Sequence, residues 1–315
     1  MNNIYSQLIK INTRDGVEPN LLPEIKSLIE TEIGFGLFRQ VTDLEIIRNR
    51  LVEDLWQYGE DNEINTVVLG MSGGIDSALT ASLFRDADYR VIGMTLPIHQ
   101  EQSETDRGIE ACESLGIEHA QVDLSDAFDF MKNTLESNTL GEDDHSQRVR
   151  EGNIRARLRM ITLYNKAAKN NGFVASTDNF SELAAGFWTL HGDVGDVAPI
   201  QSLTKSWEVP QLAVMQNVPQ SIVEAKPTDG LGVANGDEDQ FGFSYLEFDA
   251  ILFALIRNIE FNQSSEDVQN LVKLVRERIS STSYKRFNPH NLEHPLEGLT
   301  RYLELENFDT PQIGE

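Results

Sequence analysis

The chain has 315 residues, 40% of them hydrophobic, which is enough to fill the core of a large globular domain and argues against intrinsic disorder. With 51 acidic against 26 basic residues, its formal charge of -25 argues against non-specific binding to nucleic acid or an anionic membrane, so any phosphate ligand needs a local basic pocket. No apolar run approaches the roughly 20 residues that cross a bilayer, and Met1-Asn2-Asn3-Ile4 lacks the charged-then-apolar opening of a signal peptide, so a cytoplasmic protein is expected.

The first sixty residues carry a helical repeat, with Leu44, Ile46, Ile47, Leu51, Leu55 and Trp56 at helical spacing, and predict an N-terminal helical layer. From Asn65 the pattern changes to short β-branched runs at 66–69, 91–94, 119–122 and 173–175, alternating with helical stretches. That alternation predicts an α/β fold, a doubly wound parallel sheet with helices on both faces and ligands beyond the carboxyl ends of the strands. Cys112, the only cysteine, lies in a helical run and reads as a small buried hydrophobe; the six histidines are too scattered for a zinc site. The polar stretch 136–145 predicts a surface loop. Residues 226–242 carry four glycines and four acidic residues and are too long for an ordinary connection, so they read either as a lid over a ligand or as a plain flexible loop. Helices are predicted to resume at 244–258 and 265–279, ahead of an irregular tail. No repeat or linker divides the chain, which predicts one domain over 1–315: a helical layer at 1–60, the core at 61–290 and the tail at 291–315.

After the first strand run comes Gly70-Met71-Ser72-Gly73-Gly74-Ile75-Asp76-Ser77, leading into a helix. Paired glycines let backbone approach an anion, and the following helix aims its free N–H groups and positive dipole end at the same spot. A Walker A loop would place a lysine here, and none is present. Asp76 suits the helix dipole but would repel a triphosphate, a conflict that a bridging Mg²⁺ resolves. The plainer alternative is a glycine turn whose Asp76 and Ser77 merely start the helix. The segment resembles the signature of the PP-loop ATP pyrophosphatases, of adenine nucleotide alpha hydrolase-like fold, which cleave ATP between the α and β phosphates and attach AMP to a substrate oxygen.

A second segment begins at Gly152-Asn153-Ile154-Arg155-Ala156-Arg157-Leu158-Arg159. Seven of the 26 Lys and Arg lie between Arg148 and Lys169, a candidate phosphate-attracting wall or, alternatively, a solvated helix face. Arg155 and Arg159 share a helix face, and Arg157 points elsewhere. Ser176-Thr177-Asp178-Asn179-Phe180-Ser181-Glu182 follows, in which Asn179 and Glu182 also fit a capping box. The order continues through Gly186-Phe187, Gly192-Asp193, Asp196, Pro199, Lys205, Lys226-Pro227-Thr228, Phe243-Ser244-Tyr245 and Tyr284-Lys285-Arg286. From about Leu44 to Pro289 the chain is similar to the NAD synthetase family.

The resemblance implies ATP-dependent amidation of deamido-NAD by free ammonia, in a homodimer. It assigns the ATP phosphates to Gly70, Met71, Ser72, Gly73, Gly74, Ile75, Asp76 and Ser77, further ATP contacts to Thr177, Lys205 and Thr228, and Mg²⁺ to Asp76 and Glu182. Asp76 and Lys205 would act in catalysis. Arg157, Phe187, Asp196, Tyr284 and Lys285 would contact deamido-NAD, with Phe187 near its nicotinate end. Glutamine-using relatives add a large amidase domain with a cysteine nucleophile, for which this chain has neither the length nor a suitable cysteine. It departs from the family at Leu190, commonly a lysine, at Tyr284, often a histidine, and at Thr95, often an arginine; the stretch before Asp196 is one residue shorter. Rival readings are another PP-loop amidotransferase or thiolase, disfavoured by charge and cysteine content, and a non-catalytic sensor of ATP or NAD.

Overall fold

The computed structural model describes residues 2–13, 16–33, 38–136, 144–225, 238 and 241–286. Helices α1 (Asn2–Ile11), α2 (Pro23–Glu32) and α3 (Val41–Asn62) precede the sheet. Then come β1 (Thr66–Gly70), α4 (Ile75–Asp86), β2 (Arg90–Thr95), α5 (Gln102–Leu115), β3 (Glu118–Gln121), α6 (Ser125–Glu136), α7 (Asp144–Lys169) and β4 (Phe173–Val174). The four strands are all parallel and lie in the order β3-β2-β1-β4, so each connection crosses over through helix. This is the expected doubly wound sheet, and all four predicted runs supply its strands.

Alternate residues of β1 enter different cores. Val67 and Leu69 pack with Leu79 and Phe84 of α4, while Val68 packs with Met160 and Leu163 of α7. A strand covered on both faces reads as a continuous apolar run, which is why Thr66–Leu69 was legible as a strand. Cys112 is fully buried in α5, and burial pushes its thiol up to about 12, as suits an inert hydrophobe.

A third core joins the N-terminal helices to helices from the second half of the chain. Helices α1 and α2 pack with α8 (Phe180–Ala185), α11 (Tyr245–Ile256) and α12 (Glu266–Ser281) around Leu8, Ile25, Ile29, Phe248 and Ile251. Helix α3 instead packs on the sheet side, against α4 and α9 (Glu208–Met215), with the short α10 (Gln220–Val223) beside α4 and α5, so the first sixty residues are shared between two cores. On α3, Leu44 and Leu55 are buried while Ile46 and Trp56 are exposed. Two residues along a helix correspond to a turn of about 200°, so Leu44 and Ile46 cannot share one face.

Helices α11 and α12 begin one residue after Ser244 and Ser265; Ser244 forms a full capping box with Glu247, whereas the Ser265 hydroxyl donates to Glu24 at 2.5 Å. The expected surface loop, lid and irregular tail fall largely on 137–143, 226–237 with 239–240, and 287–315, which lie outside the described residues. No helix among the described residues is long and apolar enough to cross a membrane.

Candidate active site

β1 ends at Gly70, and the chain turns through Gly73 and Gly74 into α4 at the carboxyl end of the sheet. Gly73 has φ +81°, and a Cβ there would lie 2.5 Å from the carbonyl oxygen of Glu104. Both the conformation and the approach of α5 therefore demand glycine. Ser72 Oγ accepts from the Gly74 amide at 3.2 Å, and Ser77 Oγ donates to the Gly74 carbonyl at 2.9 Å. The turn and the first amides of α4 form an anion cradle.

Beside this cradle the structure gathers Asp76, Glu182 and Lys205, residues separated by up to 129 positions. Lys205 Nζ pairs with Asp76 Oδ2 and lies 3.3 Å from Glu182 Oε1. The three side chains are only 8%, 15% and 14% exposed for Lys205, Asp76 and Glu182. Asn179 Nδ2 donates to the other oxygen of Asp76 at 2.9 Å. Removing such charges from water costs several kcal/mol each, so their mutual pairing is what makes their burial tolerable.

The capping box and the charge cluster, alternatives at the level of sequence, coexist. Asn179 Oδ1 accepts from the Glu182 amide at 3.0 Å, and Glu182 Oε2 accepts from the Asn179 amide at 3.3 Å. Glu182 Oε1 remains for Lys205. Behind the cluster, fully buried Asp249 on α11 accepts from Ser181 Oγ at 2.5 Å and from the Ser206 amide and hydroxyl at 3.1 and 2.6 Å. Ser181 Oγ in turn accepts from the Lys205 amide at 2.9 Å. Asp249 thus clamps the two segments that carry Glu182 and Lys205. Burial pushes its carboxyl up to about 6 despite these donors.

The cluster opens into a cavity of about 520 Å³, in the range of ligand pockets. The whole turn from Gly70 to Ser77 lines it, with Thr177, Asp178, Glu182, Phe187, Asp193, Lys205 and Lys285. Burial pushes both Asp178 and Asp193 up. Asp178 Oδ2 accepts from Gln201 at 2.5 Å, while its buried Oδ1 has no partner.

Asp76 and Glu182 already converge on one cationic nitrogen, and their oxygens are hard donors. No group of three or more His, Cys, Asp or Glu that could hold a metal ion occurs among the described residues. Two carboxylates are nevertheless the donor set for a Mg²⁺ that takes its remaining ligands from water and phosphate, so the pair fits that ion.

The residues expected at the second substrate separate into two groups. Phe187 and Lys285 line the cavity. Phe187 packs edge-on to Phe241 at 4.7 Å, and Lys285 Nζ donates to the carbonyls of Gly186 and Trp188 at 2.8 and 2.6 Å. Burial holds the Lys285 ammonium below its usual range. Arg157, Asp196 and Tyr284 are exposed instead. Arg157 Nε donates to the Leu190 carbonyl at 3.2 Å, and Asp196 accepts from Tyr164 Oη at 2.8 Å and the Val174 amide at 2.9 Å. Thr228 lies outside the described residues.

Within the basic cluster, Arg159 lines the cavity and donates to the Leu96 carbonyl, while the Arg155 guanidinium stacks 4.3 Å over Phe128. Sequence reasoning did not single out Arg107 or Asp249. Asp249 sits in a mostly apolar helix, two residues after Glu247 of the capping box, and nothing in the local pattern sets it apart.

The NAD synthase family model matches residues 47–289. The chain is 37% identical over 209 residues to the NH(3)-dependent NAD(+) synthetase of Alkaliphilus metalliredigens, covering 64% of this chain and 84% of the relative. It is 33% identical over 243 residues to that of Finegoldia magna, covering 75% and 93%. Among solved structures, the NMN synthetase of Francisella tularensis superposes with a TM-score of 0.69 at 28% identity, covering 80% of this chain and 99% of that one. The NH3-dependent NAD synthetase of Campylobacter jejuni gives 0.65 at 28%, covering 79% and 99%.

Proposed function

The chain belongs to the NAD synthase family, and from that membership we infer that it is an ammonia-dependent NAD synthetase. It uses ATP to convert the nicotinate carboxylate of deamido-NAD into the carboxamide. A carboxylate is a poor acyl donor because its leaving group would be oxide. Attack of a carboxylate oxygen on the α-phosphorus of ATP expels pyrophosphate and yields an acyl adenylate. Ammonia then adds to the acyl carbon, AMP departs, and one proton is released.

The observation that carries the site assignment is the junction of Lys205 with Asp76 and Glu182 beside the glycine turn. In our reading the turn from Gly70 to Ser77 cradles the phosphates, and Thr177 and Thr228 contact the nucleotide. Asp76 and Glu182 would hold Mg²⁺, which when bound offsets charge on the departing pyrophosphate. Lys205 donates to the same leaving group, a preorganised donor in a site largely shielded from water. Phe187 and Lys285 bind the nicotinate end inside the cavity. With little covalent chemistry for the protein to perform, positioning supplies most of the rate.

Arg157, Asp196 and Tyr284 serve the dinucleotide at a homodimer interface. Supporting this, Arg157, Ile161 and Tyr164 recur at one-face spacing on α7 and are all exposed, Ile161 and Tyr164 by 67% and 41%. Tyr164 bonds Asp196, and the adjoining Val197 lines an open groove of about 440 Å³ with Tyr58 and Pro199.

The test is to incubate the full chain with ATP, Mg²⁺, ammonium and deamido-NAD. Equimolar NAD, AMP and pyrophosphate are expected. AMP without NAD would point to another acceptor, and no turnover would point to a nucleotide sensor. A mononucleotide acceptor is the second reading, favoured by the likeness to the Francisella NMN synthetase and by Leu190 in place of the family's common lysine. Comparing kcat/KM for deamido-NAD and nicotinic acid mononucleotide decides between them.

A further inference from the structure

Arg107 stands on α5 where that helix crosses the glycine turn. A Cβ on Gly73 would lie 3.0 Å from Arg107 Cβ and 3.3 Å from the Gly108 nitrogen. A Cβ on Gly108 would in turn meet the Met71 carbonyl oxygen at 2.5 Å. Arg107 therefore leaves its helix directly beside the anion cradle, and it lines the same cavity.

Its buried Nε has no hydrogen-bond partner, and none of the ion pairs of the described residues involves it. Other cations lining the cavity are engaged. Lys205 pairs with Asp76 and Glu182, Arg159 bonds the Leu96 carbonyl, Arg278 bonds the Ala185 carbonyl at 2.7 Å, and Lys285 bonds two carbonyls. A buried donor left unmade is unfavourable, and a chain with 51 carboxylate side chains offers many acceptors, yet Arg107 takes none. A guanidinium carries five donors in a planar fork that matches two phosphate oxygens at once.

We propose that Arg107 is a ligand of the β- and γ-phosphates of ATP and then of the pyrophosphate product, closing the open side of the cradle from α5. The proposal rests on the reading that residues 70–77 hold ATP. AMP, which lacks both phosphates, makes no contact with Arg107.

The experiment titrates the full chain with Mg-ATP, AMP and pyrophosphate by calorimetry, for the natural protein, R107M and R107K. Replacement by Met should weaken ATP and pyrophosphate roughly 10- to 100-fold, the range of one charge-assisted hydrogen-bond set, with R107K between the two. AMP affinity should change less than about twofold, by the absence of contact argued above. The thermal midpoint should stay within about 2 °C, because Arg107 gives up no partner. Unchanged ATP and pyrophosphate affinity in R107M, or an equal loss for AMP, overturns the proposal. So does a fall in thermal midpoint with all three affinities intact, which would make Arg107 structural. If the natural protein binds no ATP, the phosphate-loop reading itself falls and takes Arg107 with it; ATP binding that R107M retains in full sinks Arg107 alone.

Discussion

The nucleotide half of the proposed site is folded from buried groups within one chain, whereas much of the dinucleotide half is presented on the surface. Asp76, Glu182 and Lys205 are fastened by Asn179, by a capping box and by the Asp249 clamp, and they face a cavity. Arg157, Asp196 and Tyr284 face solvent, with Tyr284 61% exposed. Exposed polar contacts are worth only about 0–1 kcal/mol, so the second group gains binding strength only when another surface removes water from it. On the proposed reading, the chain preorganises the phosphate side and, through Phe187 and Lys285, the nicotinate end, and leaves the rest of acceptor recognition to a second copy.

The comparison breaks most sharply at Lys205. Replacing it by Met should lower kcat by about 10²- to 10³-fold, the cost of removing one preorganised donor, while deamido-NAD binding in equilibrium titrations is retained. If kcat holds within about threefold, the cluster is structural and the nucleotide half loses its chemistry.

G73A comes next. The new methyl would meet the Glu104 carbonyl in a left-handed turn, so the loop must distort. A strained residue of this kind costs on the order of 1–3 kcal/mol, and the KM for ATP should rise roughly tenfold or more, with the dinucleotide KM little changed. Equal rises in both would show that the halves are not separable.

A charge on the outer face addresses the other half. I161K should leave ATP affinity unaltered and raise the KM for deamido-NAD by roughly tenfold, with the mass in sedimentation dropping to one chain, because a lysine buried at an interface must be desolvated without a partner. A monomeric natural protein with normal dinucleotide affinity would remove the assembly argument.

The last test reads stability rather than catalysis and sharpens the account of the clamp. Asp249 is raised by burial from 3.8 to about 6, so the stability it contributes is fully present below pH 3.8 and is lost as pH rises through about 6. In denaturant titrations the lead of the natural protein over D249N should therefore shrink by about 2 kcal/mol between pH 4 and 7. A difference independent of pH would mean that Asp249 does not change its proton in this window.

Much of the fold was readable because its signals are local. Four short runs became four parallel strands, and the two helices start directly after Ser244 and Ser265, with Ser244 closing a capping box. The division of the first sixty residues was not readable, since periodicity shows that a face is apolar and not which core receives it. In the site, Gly73 and Asp76 were legible from the chemistry of an anion turn. Asp249 was not, because its role consists of holding Ser181 and Ser206, 68 and 43 positions away. Arg107 was not either, since one arginine in a helix looks like any solvated side chain until its neighbours are known.

By itself, then, the amino-acid order determined the strand–turn–helix cradle, the parallel sheet and the family, because glycine conformation, alternation of apolar residues and motif order are properties of short segments. Only the tertiary structure decided which carboxylates share Lys205, that the buried Arg107 Nε stands beside the cradle without an acceptor and which expected ligands face outward. Those outcomes depend on burial and on distances between segments far apart in the chain, and the energy of a charge is set by the water and partners around it.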